Sequence, residues 1–267
     1  MFGLTLLEMG KSIITLTTDF GTKDGYIGAV KGVIKRINPD ACVVDITHRI
    51  EPFDVLAGAF ALNNFCRYFP SGSIHMVVVD PCVGSRRQPL LIQSEEFFFV
   101  GPDNGVFTFI YENERIKDII LLSNKRYFLS QLSHTFHARD IFAPVAAYVS
   151  LGVDPKDFGE TAKECHKLIV PEPQASENVL WGEIIHIDSF GNMITNIRSH
   201  LLKKTVAKIV VSKREIKQIA RSYYDIPRKG IGALVGSSGY LEIAANQESA
   251  AKILKSKVGT ALRITFA

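Results

Sequence analysis

The stretch 76–87, MVVVDPCVGSRR, brings one carboxylate and two guanidinium groups to the end of an apolar run. The apolar residues 76–79 predict a short buried strand, and Pro81 ends it because proline cannot continue a central ladder. Asp80 therefore stands at the C-terminal end of the strand, where open α/β sheets bind ligands. Arg86 and Arg87 follow within reach of the same place. These residues favour a polar reaction site, with a surface ion pair in an ordinary loop as the alternative.

Two acidic residues lie in a second segment, 17–28, which follows a predicted strand and opens a predicted helix. Its glycines miss the G-x-G-x-x-G spacing, and the carboxylates of Asp19 and Asp24 would repel phosphate. Carboxylates at this position fit a ribose diol, an ammonium group or a metal ion. Alternatively, Asp24 caps the helix that begins near Gly25.

A third segment, 134–144, places two histidines and a carboxylate before a helix that opens around Phe142. His134, His137 and Asp140 are residue types that bind metals, although a spacing of three between the histidines is weak evidence. Alternatively, His137 is a structural or exposed loop histidine, and Arg139 and Asp140 form a local ion pair that fixes the loop.

Two segments in the second half of the chain predict a binding surface for a polar aromatic ligand. Segment 188–197, DSFGNMITNI, combines an acidic residue, an aromatic ring and an amide within five residues. Segment 236–246 exposes backbone N–H groups and hydroxyls at Ser237-Ser238-Gly239, which suit a carboxylate or the edge of a nucleobase. A β-turn between two strands accounts for the same serines and is compatible with binding.

Composition excludes several classes of function. The chain has 267 residues, of which 46% are hydrophobic and 22% charged, as in soluble globular proteins. Its net charge of +4 comes from scattered residues, which give no support to nucleic-acid binding.

Four distant cysteines lack zinc-ligand spacing, and the apolar surroundings of three of them predict buried free thiols. G-x-S-x-G, Walker, H-E-x-x-H and EF-hand motifs are missing from the sequence. Residues 1–10 do not read as a secretory signal, and no run is long enough to span a membrane, so we expect a cytoplasmic protein.

Apolar runs alternate with helical periodicity from residue 12 to about residue 152. This alternation predicts an α/β domain with a mostly parallel sheet flanked by helices. The polar, proline-bearing stretch 171–177 has the composition of a linker, and short strand-like runs follow it. We therefore expect an α/β catalytic domain over 11–170 and a smaller β-barrel domain over 178–267.

Six short segments, taken together and in this order, resemble one family, and the resemblance runs from about Ile13 to Phe266. The segments are Thr18-Asp19-Phe20-Gly21, Asp80–Arg87, Pro102-Asp103-Asn104-Gly105, Thr135–Asp140, Phe190-Gly191-Asn192 and Ser238–Glu242. The family is that of the S-adenosyl-L-methionine (SAM) hydroxide adenosyltransferases, the adenosine-forming SAM hydrolases, which are related to the fluorinating and chlorinating enzymes.

The resemblance implies a fold, an assembly and a reaction. The fold is an N-terminal α/β domain followed by a C-terminal β-barrel. The assembly is a homotrimer that holds SAM between the first domain of one subunit and the barrel of its neighbour. The reaction is displacement at the ribose C5′ by water or hydroxide without a metal or cofactor, which gives adenosine and L-methionine. Nucleic acid and membranes are not expected as partners.

The resemblance also carries over site residues. Asp80, Arg87 and His137 match the set that holds and activates the nucleophilic water. Among substrate-binding positions, Asp19 matches the ribose-diol carboxylate, and Asp24 and Asp188 match carboxylates near the methionine ammonium. Phe53 matches a position beside the ribose, and Ser237 and Ser238 match the methionine carboxylate site. The adenine contacts are Phe190, Asn192 and Tyr223. Thr135 and Phe136 are further substrate-binding matches.

Two positions distinguish water from halide as the nucleophile. Halogenating relatives lack the acid at position 80, and the fluorinating ones have a serine where this chain has Ala138. A carboxylate next to a guanidinium is a poor base, so Arg87 and His137 are expected to stabilise developing hydroxide while Asp80 orients them. The alternatives are a SAM or nucleoside sensor without catalysis, a metal-dependent phosphohydrolase using Asp19, Asp24, Asp80 and His137, and a halide-dependent adenosyltransferase.

Overall fold

The computed structural model describes residues 12–267 and divides them into two compact units. The first unit ends at Leu168 and the second begins at Ile169. The prediction that residues 1–10 carry no secretory signal, and the predicted domain start at residue 11, lie outside the described part. Within residues 12–267, no helix is long and apolar enough to cross a membrane.

The first unit is built on a seven-stranded sheet with four α-helices. The strands are β1 (Ile13–Thr18), β2 (Cys42–Thr47), β3 (Ile74–Val78), β4 (Pro89–Ser94), β5 (Phe98–Pro102), β6 (Ile116–Leu122) and β7 (Gly159–Thr161). The helices are α1 (Tyr26–Ile37), α2 (Val55–Phe65), α3 (Thr108–Asn113) and α4 (Ala143–Ser150).

The strand order of this sheet is β2-β1-β3-β5-β4-β6-β7. Strands β2, β1, β3 and β5 are parallel, whereas β4 runs antiparallel between β5 and β6. All five residues of β3 are buried, because helices cover the sheet on both faces. Met76 and Val78 belong to the main core with α1 and α4, while Val79 packs with Ala57 of α2. The C-terminal ends of the parallel strands, where Asp80 lies, are thus carried by a rigid core.

One histidine is buried in this sheet away from the predicted site. His75 of β3 is 1% exposed, and its Nδ1 lies 2.8 Å from the Thr15 hydroxyl. The rings of Phe69, Phe97 and Phe99 lie 5.1–5.7 Å from it, centroid to centroid. Burial among these rings lowers the pKa of His75 from 6.5 to about 4.

We expect His75 to make the protein acid-sensitive. Unfolding exposes the ring, which then takes up a proton below about pH 6.5, whereas the folded ring does so only near pH 4. The stabilisation is therefore complete above pH 6.5 and is lost as the pH falls from 6.5 towards 4. This pKa difference corresponds to about 3 kcal/mol of unfolding free energy. Between pH 7 and pH 5, the free energy of unfolding measured with urea should fall less in His75→Phe than in wild type. In the control His200→Gln, at an exposed histidine, it should fall as much as in wild type. Equal falls in all three proteins would contradict the assignment to His75.

The second unit is a nearly closed, barrel-like sheet with one short helix. Its strands are β8 (Gln174–Ala175), β9 (Val179–Ile187), β10 (Met193–Arg198), β11 (Val206–Val211), β12 (Arg214–Ile216), β13 (Ile219–Ala220), β14 (Ile231–Val235), β15 (Tyr240–Ala245) and β16 (Ala261–Phe266). The order is β12-β11-β16-β9-β10-β15-β14-β13, with β8 beside β9, and helix α5 spans Ala250–Leu254. The strands at the two ends of this order, β12 and β13, contribute apolar residues to one shared core, and β12 lies against β14.

The predicted fold class is confirmed: an α/β sheet comes first and a barrel-like sheet follows. The sequence patterns did not predict α3 and α5, or the strands β6, β7, β8, β12 and β13. All four cysteines are free, as expected, but the expected burial of three of them is wrong: Cys66 alone is buried, while Cys42 and Cys82 are exposed. Burial raises the pKa of the Cys66 thiol to about 11.

Candidate active site

The segment after β3 places Asp80 and Arg87 in a buried ion pair. Their side chains are only 4% and 6% exposed. Arg87 Nε donates to both Asp80 oxygens, at 3.0 and 2.9 Å, and Nη2 donates to Oδ2 at 2.5 Å. Arg86, by contrast, is exposed. A buried guanidinium bound in this way fixes the carboxylate in one orientation. Asp80 and Arg87 are therefore not an ordinary surface ion pair.

His137 joins this pair through its δ nitrogen. Arg87 Nη2 lies 2.8 Å from His137 Nδ1, and a guanidinium is only a donor, so Nδ1 accepts. The neutral ring then carries its proton on Nε2, which makes that atom a hydrogen-bond donor. Burial, with the positive charge of Arg87, lowers the pKa of His137 below 6.5 and favours this neutral form.

The loop that carries His137 is held by a fully buried carboxylate. Asp140 accepts from the Ser133 backbone N–H at 2.6 Å and from two nitrogens of Arg139, at 2.6 and 3.1 Å. It lies in a single π-helical turn, Ala138–Phe142, that leads into α4. Such turns recur at functional sites because they redirect side chains. The alternative prediction of a local Arg139–Asp140 pair that fixes the loop is correct, and the loop it fixes presents His137.

The loop 80–87 also packs directly on the His137 loop. Gly84 has φ of +80°, and a Cβ there would overlap the backbone carbonyl oxygen of His134. A larger residue would force the loops apart, which explains the glycine in this segment.

Asp80 and His137 face a cavity of about 650 Å³ in the first unit. Its described lining is Asp19, Phe20, Tyr26, Pro52, Phe53, Val78, Asp80, Val83, Ser133, Thr135, Phe136, His137, Ala138 and Arg139. Arg87 lies outside this lining, with its guanidinium carbon 5.3 Å from the centre of the Phe142 ring. Arg87 is linked to the cavity by its hydrogen bonds to Asp80 and His137, which line it.

The predicted ribose-binding pair also meets at this cavity. Asp19 Oδ2 accepts the Phe53 backbone N–H at 3.0 Å. Phe53 has φ of +71°, which is strained for a residue with a side chain, and the residue is 70% exposed. Asp54, the next residue, caps α2 through the Ala57 N–H. The strained turn is thus fixed by the Asp19 bond on one side and by the Asp54 cap on the other, and the Phe53 ring is left exposed.

Three rings form one wall of the cavity. Phe20, Tyr26 and Phe136 contact one another with centroids 5.2–6.1 Å apart. Arg139 stacks over Phe136 with its guanidinium carbon 5.0 Å from the ring centre. Of these rings, Phe136 alone was predicted as a site residue; Phe20 and Tyr26 were missed because ring–ring contact is a property of the folded loops.

Asp24 is exposed and lies outside the described lining of the cavity. The alternative prediction that it caps α1 is wrong: Gly25 occupies the N-cap position, and no side chain caps the described helix start. The predicted role of Asp24 at the methionine ammonium stays a prediction.

The second unit has its own cavity, of about 680 Å³. Asp188, Phe190, Asn192, Tyr223, Ala245, Asn246, Gln247, Glu248 and Ser249 line it. Asp188 organises the turn: its Oδ1 accepts from the backbone N–H groups of Phe190 and Asn192, and its Oδ2 accepts from the Asn192 amide. This turn leaves the Phe190 ring 77% exposed beside the cavity.

A buried glutamate that the prediction did not single out supports this cavity. Glu242 of β15 accepts the Tyr223 hydroxyl at 2.8 Å, and burial raises the pKa of its carboxyl group. A Cβ at Gly236 would overlap this carboxyl group, so the glycine makes room for it. In the sequence, the feature that could have pointed to Glu242 is a charged residue within the apolar run of β15. Burial and the Glu242 bond also raise the pKa of Tyr223.

Ser237 and Ser238 lie in the tight turn between β14 and β15 and outside the described lining of this cavity. The Gly239 backbone N–H donates to the Gly236 carbonyl at 3.0 Å across that turn, as the β-turn alternative predicts. Among residues 12–267, no three His, Cys, Asp or Glu side chains are grouped as metal ligands.

The arrangement matches a known family over most of its length. Residues 14–159 match the model for the SAM hydroxide adenosyltransferase N-terminal domain, and residues 182–263 match that for the C-terminal domain. The chain belongs to the SAM hydroxide adenosyltransferase family. The family predicted from the six segments is therefore confirmed.

Individual proteins resemble the chain along most of its length. A Methanocaldococcus jannaschii protein named (R)-S-adenosyl-L-methionine hydrolase is 38% identical over 258 residues, which covers 91% of each chain. The crystal structure of an uncharacterized conserved protein from Thermotoga maritima has a TM-score of 0.89 and 35% identity, covering 94% of this chain and 99% of that one. A fluorinase of an Actinoplanes species is more distant, at 24% identity over 97% of this chain and 99% of its own.

Proposed function

We propose that this chain is an enzyme that hydrolyses S-adenosyl-L-methionine to adenosine and L-methionine. The observation that carries the proposal is the buried set of Asp80, Arg87 and His137 at the edge of the first cavity. The relatives named SAM hydrolases, which align over most of their length, support the same activity.

The chemistry needs a positioned water more than an acid. The oxygen of water forms a bond to ribose C5′, the C5′–sulfur bond breaks, and its electron pair stays on sulfur. Methionine leaves as a neutral thioether, and one water proton is released. Because the sulfonium is already a good leaving group, alignment and electrostatic stabilisation of the water are the main tasks left to the protein.

We assign these tasks differently from the initial expectation for Asp80 and Arg87. Asp80 and His137 line the cavity, whereas Arg87 lies outside it and binds both. In this proposal, the Asp80 carboxylate accepts a hydrogen bond from the water and so orients it, His137 Nε2–H donates to the water oxygen, and Arg87 holds both side chains in place. The second cavity receives the adenine through Phe190, Asn192 and Tyr223.

The remaining substrate contacts follow the family resemblance. Asp19 binds the ribose diol and Phe53 lies beside the ribose, while Thr135 and Phe136 border the same pocket. Asp24 and Asp188 approach the methionine ammonium, and Ser237 and Ser238 its carboxylate. We further propose a homotrimer in which the first unit of one subunit and the barrel of its neighbour share one substrate. Sedimentation equilibrium tests the trimer, and a monomer would contradict it.

Product analysis after incubation with SAM tests the function. We expect adenosine and methionine in equal amounts, undiminished by EDTA. Chloride or fluoride should give no halogenated nucleoside, since Asp80 is present and Ala138 offers no hydroxyl to a halide. Binding of SAM without turnover would indicate a sensor instead, and loss of activity with EDTA would indicate a metal-dependent hydrolase.

A further inference from the structure

The loop that carries Asp80 and Arg87 has to cross a neighbouring strand. It joins β3 to β4, but β5 lies between these two strands in the sheet. Strand β5 is parallel to β3, and Pro102 at its end is paired with Pro89 at the start of β4. The loop therefore passes over the C-terminal end of β5, where residues 102–105, PDNG, begin the next turn.

This PDNG turn is bonded to both ends of the loop. Asn104 Nδ2 donates to the Val79 carbonyl at 2.8 Å, one residue before Asp80. The Asp103 backbone N–H donates to the Gln88 carbonyl at 2.8 Å, one residue after Arg87. Asn104 Oδ1 accepts the Val106 N–H at 3.2 Å, which fixes the direction of the side-chain amide. The turn thus sets the positions of both ends of the loop, directly beside the two residues that form the Asp80–Arg87 pair.

We propose that Asn104 is a positioning residue for the reaction: its amide fixes the start of the 80–87 loop so that Asp80 and Arg87 meet His137. The role rests on the proposed SAM hydrolysis. Asn104 lies outside the described lining of the substrate cavity, so it acts through the backbone and not on the substrate. Its Nδ2 is the group on which the role depends, because backbone N–H groups are unaffected by substitution.

The test compares Asn104→Asp with a matched control. In the aspartate variant an oxygen faces the Val79 carbonyl, so the bond is lost and the two oxygens repel each other. Asn124 makes the same pair of bonds, from Nδ2 to the Asp157 carbonyl at 2.7 Å and from the Arg126 N–H to Oδ1 at 3.2 Å. Asn124→Asp therefore changes an equivalent turn of the first unit without touching the 80–87 loop.

We expect Asn104→Asp to lower kcat by about 10- to 100-fold, since small misplacements of a catalytic group have effects of this order. The KM for SAM should stay near the wild-type value, and Asn124→Asp should keep both constants. Wild-type kcat in the Asn104 variant, or equal losses in both variants, would overturn the role. A rise in KM with unchanged kcat would also overturn it.

A second measurement is independent of turnover. The pKa of His137 is lowered by its burial and by Arg87. If Asn104→Asp moves Arg87 away, NMR titration of the histidines should show the pKa of His137 rising towards its ordinary value, with Asn124→Asp like wild type. An unchanged His137 titration would overturn the role even if kcat falls. Absence of wild-type turnover would instead disprove the proposed hydrolysis, and a catalytic role for Asn104 with it.

Discussion

Replacing Asp80 with asparagine is expected to lower kcat for SAM hydrolysis by about 10²-fold, the order of effect of misplacing a reacting group. The amide keeps the size of the carboxylate but has no negative charge and one acceptor fewer. It cannot orient the water as a charged acceptor does, nor hold Arg87 Nε and Nη2 as the carboxylate does. Steady-state kinetics with SAM measure the loss, and KM should change little.

The same substitution leaves a cation buried without its partner. Arg87 is 6% exposed, and removing one member of a buried ion pair costs about 3–5 kcal/mol. Urea unfolding should show this loss. In the double variant Asp80→Leu with Arg87→Met, apolar side chains replace both charges, so much of the stability should return. Turnover should not return, which separates the catalytic loss from the structural one.

The control for Asp80 is Asp40→Asn, at an exposed aspartate of the same unit. It should keep both kcat and the free energy of unfolding. Wild-type kcat in Asp80→Asn would contradict the assignment of Asp80. Recovery of turnover in the apolar double variant would show that the pair is only structural.

Replacing His137 with alanine is expected to lower kcat by about 10²–10³-fold, the range for losing one preorganised hydrogen-bond donor. The Arg87 bond to Nδ1 makes Nε2 a donor, so His137 supplies an N–H group and does not act as the base. Glutamine can donate an N–H from about the position of Nε2. His137→Gln should therefore retain more turnover than His137→Ala, and equal losses in the two variants would contradict the donor role.

The pH profile gives a second test of His137. Its pKa is lowered, so the neutral ring persists below pH 6.5. Protonation of Nδ1 removes the acceptor for Arg87 and places two cations together. Turnover should thus be retained above the lowered pKa and fall as the pH drops through it, with the acid limb below pH 6.5. His200→Gln, at an exposed histidine of the second unit, should keep the wild-type profile. An acid limb at or above pH 6.5 would contradict the neutral-ring assignment.

Local patterns of the sequence predicted much of what the structure contains. The apolar run before Asp80-Pro81 placed that carboxylate at a strand end. The alternation of apolar runs with helical periodicity up to about residue 152 predicted the α/β sheet, and the strand-like runs after 177 predicted the barrel-like sheet. Such predictions succeed because burial of one helix face, or of a strand, is written into consecutive residues.

The sequence by itself determined that an α/β sheet precedes a barrel-like sheet, which strand end carries Asp80, and the family. Only the tertiary structure decided that Arg87 holds both Asp80 and His137, and that Asn104 holds the start of their loop. The physical reason is the sheet order: β5 follows β4 in the chain but lies between β3 and β4 in space. Periodicity records which residues are buried, whereas contacts between distant loops depend on which strands become neighbours.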